Sequence, residues 1–291
     1  MLSVAETGAS TGRTAIHRDP WSWSVALAAV LVCLPFMHYV GFLGDEGVLL
    51  RGAQRMLAGD LLYEDVFAIL PPAPFLITVL WFDLVGDSWV AARLLGMLVI
   101  AGIAVTTYRV CRPLAPVPWV SALVVCLWLV WSQGLWSGLN HHWLTTLFTI
   151  GSVGCVLAAL RQPDAPLRAA TLAGVLVGSA GMTTPARGAL LLLGVALILA
   201  TSGLPRRALV CFSAGVATVP FALGAWLAYQ GTLQAAFDDI ILFNLHHYST
   251  TQSVVFGAGA SAQSQPLVIA IPLAFALAAL GTVLARGRTL R

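Results

Sequence analysis

The chain has few charged residues, and lysine is absent from it. Only 9% of its 291 residues are charged, whereas a soluble domain carries about 25%. This composition argues against an ordinary soluble protein. The basic residues are all arginines and are scattered along the chain, so the sequence offers no basic patch of the kind that binds nucleic acid. We expect no nucleic-acid partner.

Close cysteine pairs are also lacking, and no cysteines stand at the spacing of a zinc site. The five cysteines lie in or beside apolar runs, where a buried thiol is the expected state. These residues are Cys33, Cys111, Cys126, Cys155 and Cys211.

Long apolar runs dominate the sequence, which is 59% hydrophobic. Several runs approach the roughly 20 residues that a membrane-spanning helix needs. The sequence therefore predicts an all-α, polytopic membrane protein with about eight transmembrane helices. The runs lie near 22–43, 88–108, 116–136, 142–160, 169–184, 186–202, 208–229 and 266–285.

The segment 169–202 requires a break, because a single helix of that length would far exceed a hydrocarbon core of about 30 Å. Thr183-Thr184-Pro185 is the predicted position of the break. Proline is favoured in the first turn of a helix, where its missing N–H costs nothing. We therefore expect a new helix to begin at Pro185.

The arginines predict the orientation in the membrane. With eight spans, most of them fall on one side, which the positive-inside rule makes the cytoplasm. The first span then acts as an uncleaved anchor, and the protein is expected in the plasma (inner) membrane with both termini cytoplasmic. The predicted organisation is a disordered cytoplasmic N-terminus (1–20), a transmembrane domain (21–285) and a cytoplasmic tail (286–291). The predicted outer segments are 44–87, the turn around 137–141, the break at 183–187 and the loop 230–265.

Acidic residues gather in the first outer segment, 44–87, directly after the first span. Seven of the chain's 12 acidic residues lie there. Residues 45–58 are predicted to form an amphipathic helix on the membrane surface, with Glu46 turned towards the apolar side and Arg51 and Arg55 on the other side. Residues 75–85 are predicted to form a second surface helix. Acids at the start of a helix are also favoured by its dipole, which is the structural alternative to a site.

The order of motifs in this region resembles the first extracytoplasmic region of GT-C glycosyltransferases. The likeness is closest to the dolichyl-phosphate-mannose protein mannosyltransferases, the aminoarabinose lipid A transferases and the RgtA/B/C/D-like bacterial enzymes. It rests on Gly44-Asp45-Glu46-Gly47, Met56-Leu57-Ala58-Gly59, Tyr63-Glu64-Asp65-Val66-Phe67, Pro71-Pro72 and Ser88-Trp89-Val90-Ala91-Ala92-Arg93-Leu94-Leu95. Family members are commonly longer, so a short natural form, a truncated reading frame and a fragment all stay open.

The resemblance implies transfer of a sugar from a polyprenyl-phosphate donor to a lipid, glycan or protein acceptor at the outer face of the bilayer. Asp45 matches the catalytic aspartate of the family, which takes the proton of the acceptor hydroxyl in one inverting displacement. Glu46 would tune or orient Asp45. Asp65 matches the second family acid, which contacts the acceptor or orders the loop.

Arg187 is the predicted binder of the lipid phosphate. An arginine within a membrane helix is a functional hypothesis by default, and guanidinium binds phosphate bidentately. The alternative is an arginine whose side chain reaches to the outer interface. Arg93 is a second candidate, although pairing with an acid of segment 44–87 is favoured for it. Arg51 and Arg55 are further candidates.

Other polar residues of the predicted outer face are candidates for contact with the acceptor or for closing the loops. They are Tyr63, Glu64, His141, His142, His246, His247 and Tyr248, with Asp238 and Asp239 in the last outer loop. The histidines and acids together would suit a divalent metal. Adjacent histidines are expected on different sides of a helix, however, so neither pair alone would chelate a metal. We favour contact with the acceptor or the interface for the histidines and expect no cofactor, with a divalent metal as the alternative.

Two other functions stay open. A transporter or flippase of lipid-linked substrates would require ionisable residues near the middle of the membrane and paired halves. A non-catalytic GT-C scaffold that holds another membrane enzyme is the second. The position of the acids at one face disfavours the former, and the presence of Asp45, Glu46 and Asp65 disfavours the latter.

Overall fold

A computed structural model describes residues 19–38, 44–132, 138–161 and 166–248. In this part of the chain the secondary structure is helical, and the only β-type pairing is an isolated bridge between Leu62 and Val66. The all-α prediction is therefore confirmed for the described residues. The predicted run 266–285 lies outside them, as do 1–18 and the end of the first run, 39–43.

Ten α-helices follow one another along the described residues. They are α1 (Pro20–Cys33), α2 (Gly44–Leu57), α3 (Ala73–Val85), α4 (Trp89–Cys111), α5 (Pro118–Ser132), α6 (His141–Arg161), α7 (Pro166–Gly181), α8 (Pro185–Thr201), α9 (Arg206–Gln230) and α10 (Leu233–Phe237). Short 3₁₀ turns follow α1 and α4, at Leu34–Phe36 and Arg112–Leu114. Two π-helical turns, Asp238–Leu242 and Asn244–Tyr248, come after α10.

Three of the described helices are long and apolar enough to cross a membrane: Trp89–Leu114, His141–Arg161 and Arg206–Gln230. Four shorter apolar helices accompany them, at Pro20–Phe36, Ala73–Val85, Pro118–Trp131 and Pro185–Thr201. The protein is thus a helical protein with the character of a membrane protein.

The predicted helix break is present. Helix α7 ends at Gly181, and α8 begins with Pro185 in its first turn. The Thr184 N–H still donates to the carbonyl of Ala180 at 2.8 Å, which closes the last turn of α7. The Met182 carbonyl accepts a hydrogen bond from the Ala73 N–H at 3.3 Å, so the break lies against the start of α3.

The chain divides into two compact units, 1–240 and 241–291. In the first unit, one apolar cluster joins α2, the segment 62–68, α3, the first half of α4, the start of α6, the end of α9 and α10. We call this region, where α4, α6 and α8 begin and α9 ends, the upper end of the first unit. Its core includes Leu49, Tyr63, Phe75, Leu139 and Leu227.

The lower end of the first unit is where α4 and α6 end and where α1, α7 and α9 begin. The Tyr108 hydroxyl donates to the Asp19 carboxylate at 2.8 Å, which ties the start of α1 to the end of α4. The arginines at these helix termini are Arg109, Arg112, Arg161, Arg168, Arg206 and Arg207. They lie at the other end of the helices from the acidic segment 44–87, and the orientation in the membrane stays a prediction.

Helices α7 and α9 are in backbone contact through glycines. A Cβ built on Gly174 would lie 2.1 Å from the Phe212 carbonyl oxygen, and one on Gly178 would lie 2.5 Å from that of Val216. On α9, a Cβ at Gly215 would lie 2.3 Å from the Thr171 carbonyl oxygen. Small residues at such crossings let membrane helices approach closely, which fixes α7 against α9.

The prediction for helix α2 is partly wrong. A helix forms at the predicted place, and Gly59 follows its end with a φ of 103°. Its apolar side, however, is covered by protein rather than turned towards the bilayer: Leu49 and Ala53 are 1% and 0% exposed. The reason is α3, which folds back and presents Phe75 and Phe82 to this side.

Candidate functional site

Glu46 forms a buried ion pair with Arg93 at the upper end of the first unit. The Arg93 Nη1 atom lies 2.9 Å from Glu46 Oε1, and the same oxygen accepts the Leu139 N–H at 2.9 Å. The two side chains are only 2% and 11% exposed. The expectation that Arg93 pairs with an acid of segment 44–87 is thereby confirmed. The expectation that Glu46 faces the bilayer is wrong, because its partner on α4 holds it inside the protein.

The ion pair joins three segments that are distant in sequence: the start of α2, the start of α4 and the turn before α6. Burial raises the pKa of the Glu46 carboxyl, while the Arg93 guanidinium and the Leu139 amide act in the opposite direction. Arg93 also stacks on the Trp89 ring, with its guanidinium carbon 4.1 Å from the ring centroid. The Leu139 amide stabilises the buried charge of Glu46, and the Trp89 ring stabilises that of Arg93.

Gly138 fits closely against the ion pair. A Cβ at this position would lie 2.6 Å from Arg93 Nη1 and 2.7 Å from Glu46 Oε2. A side chain at this position would require the two charged groups to move, which would disturb the ion pair. Gly138 is therefore part of this arrangement, although no sequence motif had indicated it.

Asp45, the predicted base, lies in the first turn of α2 directly before Glu46. Its side chain is outside the described part of the structure. The backbone nevertheless fixes its place, because the Glu46 side chain ties the first turn of α2 to α4 and to the turn before α6. Position 45 is therefore at the upper end, one residue from the ion pair.

The segment 61–70 is an ordered turn rather than a loose loop. Asp65 is exposed, and its carboxylate accepts the Leu61 N–H at 2.8 Å. Tyr63 is 5% exposed and has a φ of 74°, and its hydroxyl donates to the Leu70 carbonyl at 2.8 Å. Glu64 is exposed. Asp65 thus has a role in ordering the turn, and the buried Tyr63 is part of the core.

Asp239, which is distant in the sequence, also contacts this turn. Its carboxylate accepts the Ala68 N–H at 3.2 Å. Burial raises the pKa of Asp239, and the charge of Asp238 raises it further, while the Ala68 amide acts in the opposite direction. Burial and the charge of Asp239 also raise the pKa of Tyr63. Asp239 thus links the first π-helical turn to the segment 61–70, and its closing over the site stays a prediction.

The histidine pair at the start of α6 differs from expectation. His141 is buried, and the His141 and His142 ring centroids are 3.9 Å apart, so the two rings lie side by side. Neighbouring helical positions are separated by only 100°, and two large rings at the first turn still meet. Asn140 caps this helix, since its side-chain carbonyl accepts the His142 N–H at 2.7 Å.

No group of three histidine, cysteine, aspartate or glutamate side chains is close enough to hold a metal among the residues that the structure describes. His246 and His247 belong to the second unit, where they are exposed on a π-helical turn with ring centroids 6.3 Å apart. The side chain of Tyr248 lies outside the described residues.

Arg187 is exposed in the first turn of α8 and lines a groove of about 420 Å³ between α6 and α8. Three threonines and two leucines complete the lining: Thr145, Thr146, Thr149, Leu190 and Leu191. A hydrogen bond of 2.8 Å between the hydroxyls of Thr145 and Thr184 joins α6 to the residue before α8. The groove thus combines one cationic side chain and three hydroxyls with two apolar side chains. The threonines were missed, although three hydroxyls in an apolar span were a visible signal.

The other candidate arginines differ in how accessible they are to a ligand. Arg93 is 3% exposed and paired, so it is not open to a lipid phosphate. Arg55 pairs with Asp60 at the end of α2. Arg51 is exposed and lines a separate pocket next to the start of α4.

Comparison of the chain with protein-family models, with curated proteins and with solved structures finds no match. The likeness to GT-C glycosyltransferases therefore depends on the order of motifs within residues 44–95.

Proposed function

We propose that this protein is a membrane glycosyltransferase of the GT-C type, which transfers a sugar from a polyprenyl-phosphate donor to an acceptor at the extracytoplasmic face. The observation that carries the proposal is that three segments lie at the upper end: the start of α2 with Asp45, the start of α6 with its histidines, and the start of α8 with Arg187. Glu46 accepts the Leu139 N–H just before α6, and Thr145 of α6 is hydrogen-bonded to Thr184 just before α8. These are the segments that the sequence motifs mark as functional. They lie at the end of the helices away from the clustered arginines.

In the proposed reaction, Asp45 accepts the proton of an acceptor hydroxyl as its oxygen attacks the anomeric carbon. The bond between that carbon and the phosphate oxygen breaks, and polyprenyl phosphate leaves with the electron pair. A single displacement inverts the configuration at the anomeric carbon. Glu46 takes no proton in this scheme, because its carboxylate is committed to Arg93 and to the Leu139 amide. We assign Glu46 and Arg93 as positioning residues.

The groove of Arg187 is the proposed site of the leaving phosphate. A guanidinium at the N-terminus of a helix combines two features that stabilise an anion, a full positive charge and the positive end of the helix dipole. The Thr145 and Thr146 hydroxyls donate to the His141 and His142 carbonyls at 3.0 and 2.8 Å, so the guanidinium is the principal donor to the phosphate. The leucines suit the isoprenoid chain. Negative charge develops on the phosphate as the bond breaks, so these groups would stabilise the transition state.

The transporter alternative finds less support in the described residues. The buried ion pair of Glu46 and Arg93 lies at one end of the helices. A substrate path would instead require ionisable groups facing a cavity near the middle of the membrane. The scaffold alternative makes a different prediction, namely no turnover by the chain alone.

The direct test is to incubate the purified protein in nanodiscs with a panel of polyprenyl-phosphate sugars and to measure release of polyprenyl phosphate by mass spectrometry. Release from at least one donor, dependent on an added acceptor, supports the proposal. The absence of release from every donor, together with co-purification of a larger transferase, would favour the scaffold.

A further inference from the structure

A second pocket lies at the upper end, between α2 and the start of α4, and no part of the proposed reaction uses it. Its volume is about 260 Å³. Four residues of α2 line one side, at positions 47, 50, 51 and 54, which is the spacing of a single helix face. Phe82, Asp87, Ser88 and Trp89 line the other.

The side chains of this pocket combine both charges with an amide, a hydroxyl and an indole ring. Arg51 and Asp87 are exposed, and neither belongs to an ion pair within the described ranges. Arg51 offers only donors and Asp87 only acceptors, while Gln54 and Ser88 offer both. A ligand with several hydroxyls can satisfy all of them. The opposite charges balance, so the pocket does not select for an anion such as phosphate.

The wall of the pocket is held in place before any ligand binds. The Trp89 indole N–H donates to the Met37 carbonyl at 3.1 Å, and the Arg93 guanidinium stacks on the ring. Gln54 donates to the Asp87 carbonyl at 3.3 Å, and the Ser88 hydroxyl caps α4 by accepting the Ala91 N–H at 3.2 Å. Preorganised groups lose little entropy on binding. An aromatic ring with fixed hydrogen-bonding groups around it suits a sugar, whose ring presents C–H groups to an aromatic face and hydroxyls at its edge.

We propose that this pocket binds a neutral sugar unit of the acceptor, one that does not itself react, so that the acceptor is a glycan of more than one unit. This inference rests on the proposed function. The volume is slightly below the ~300–1,000 Å³ of typical ligand pockets and suits one ring. Position 45 is about 200° around α2 from Gly47, at 100° per residue, and therefore on another face. The ring in the pocket is then not the one that loses a proton to Asp45, but its neighbour.

The test is binding of the purified full chain in detergent to an array of short neutral and anionic glycans. We expect binding to neutral glycans, and binding weakened by about tenfold or more in Arg51→Ala and Asp87→Ala, because each loses hydrogen bonds to a charged group. Gly47→Leu should also block binding, since a Cβ at Gly47 meets no atom within 4 Å and the side chain can occupy the pocket. Arg55→Ala is the matched control, because Arg55 is on the same helix but pairs with Asp60.

No binding to any glycan, binding to anionic glycans alone, or equal binding by the three pocket variants and wild type would overturn the proposal. Asp45→Asn separates this test from the proposed function, because glycan binding does not require turnover. A protein that binds neutral glycans through this pocket but transfers no sugar would contradict the glycosyltransferase and leave the pocket as a glycan site.

Discussion

The carboxylate of Glu46 and the guanidinium of Arg93 lie 2.9 Å apart in a site that solvent scarcely reaches. Removal of one partner would leave a buried charge unpaired, which typically costs about 3–5 kcal/mol, whereas replacement of both by apolar residues is often neutral. We expect Glu46→Ala to lower the unfolding free energy by roughly that amount and Glu46→Leu/Arg93→Met to recover most of it. Unfolding of the detergent-solubilised proteins in increasing denaturant measures the unfolding free energy of each variant. Additive losses in the double variant would contradict the pairing.

The glycines between α7 and α9 are expected to be intolerant of any side chain. Gly174→Ala would place a Cβ against the Phe212 carbonyl, which belongs to a rigid backbone, so the two helices must separate. Overpacking of this kind costs about 1–3 kcal/mol. The matched control is Gly194→Ala in α8, where a Cβ meets no atom within 4 Å and alanine favours the helix by up to about 1 kcal/mol. Thermal unfolding temperatures compare the two, and equal values would contradict the close contact.

The raised pKa of Asp239 predicts that the stability of the protein depends on pH. Its pKa is raised in the folded protein, so the folded state binds a proton more readily than the unfolded state. Ionisation therefore destabilises the fold, an effect that is absent below about pH 4 and develops as the pH rises through the folded pKa. Asp239→Asn keeps an oxygen for the Ala68 N–H without the charge.

We expect Asp239→Asn to unfold at a higher temperature than wild type at pH 7, with the difference shrinking as the pH is lowered towards 4. Thermal unfolding curves of both proteins between pH 7 and pH 4 measure this difference. A difference that grows as the pH falls would show that the carboxylate stabilises the turn in its charged form.

The phosphate role of Arg187 predicts a specific kinetic change. Arg187→Ala removes the charge from the groove, and we expect kcat/KM for the polyprenyl-phosphate donor to fall about tenfold or more, since the guanidinium binds the phosphate more strongly as its negative charge develops in the transition state. Arg207→Ala is the control, because Arg207 lies at the lower end, at the start of α9. Initial rates at varied donor concentration separate KM from kcat. An unchanged kcat/KM in Arg187→Ala would assign the arginine to the membrane interface instead.

Local features of the sequence predicted the helices better than the contacts between them. Pro185 and the length of the apolar segment 169–202 were enough to predict the break between α7 and α8. The face of α2 was predicted wrongly because amphipathicity indicates which side is apolar but not what covers it. Here the cover is α3 over Leu49 and Ala53, while Arg93 on α4 holds Glu46 inside the protein.

The least predictable parts of the candidate site are those that depend on close approach in space. Gly138 has no motif around it, and its importance comes from two charged groups on other helices. The pocket of Arg51 and Asp87 likewise joins two short segments whose relation depends on how α3 folds back. By contrast, Arg187 was a candidate from the sequence because it is an arginine in an apolar run just after Pro185. Its phosphate role stays a prediction, and the structure adds the threonines beside it.

The most direct test of the proposed function is sugar transfer by Asp45→Asn. General-base catalysis contributes about 10²–10⁴-fold, and asparagine preserves the shape of the side chain without accepting a proton. We expect release of polyprenyl phosphate by Asp45→Asn to fall at least about a hundredfold below wild type. Asp83→Asn, a change at an exposed acid of α3, should retain full activity. Wild-type rates in Asp45→Asn, in protein that folds normally, would contradict the role of Asp45 as the base.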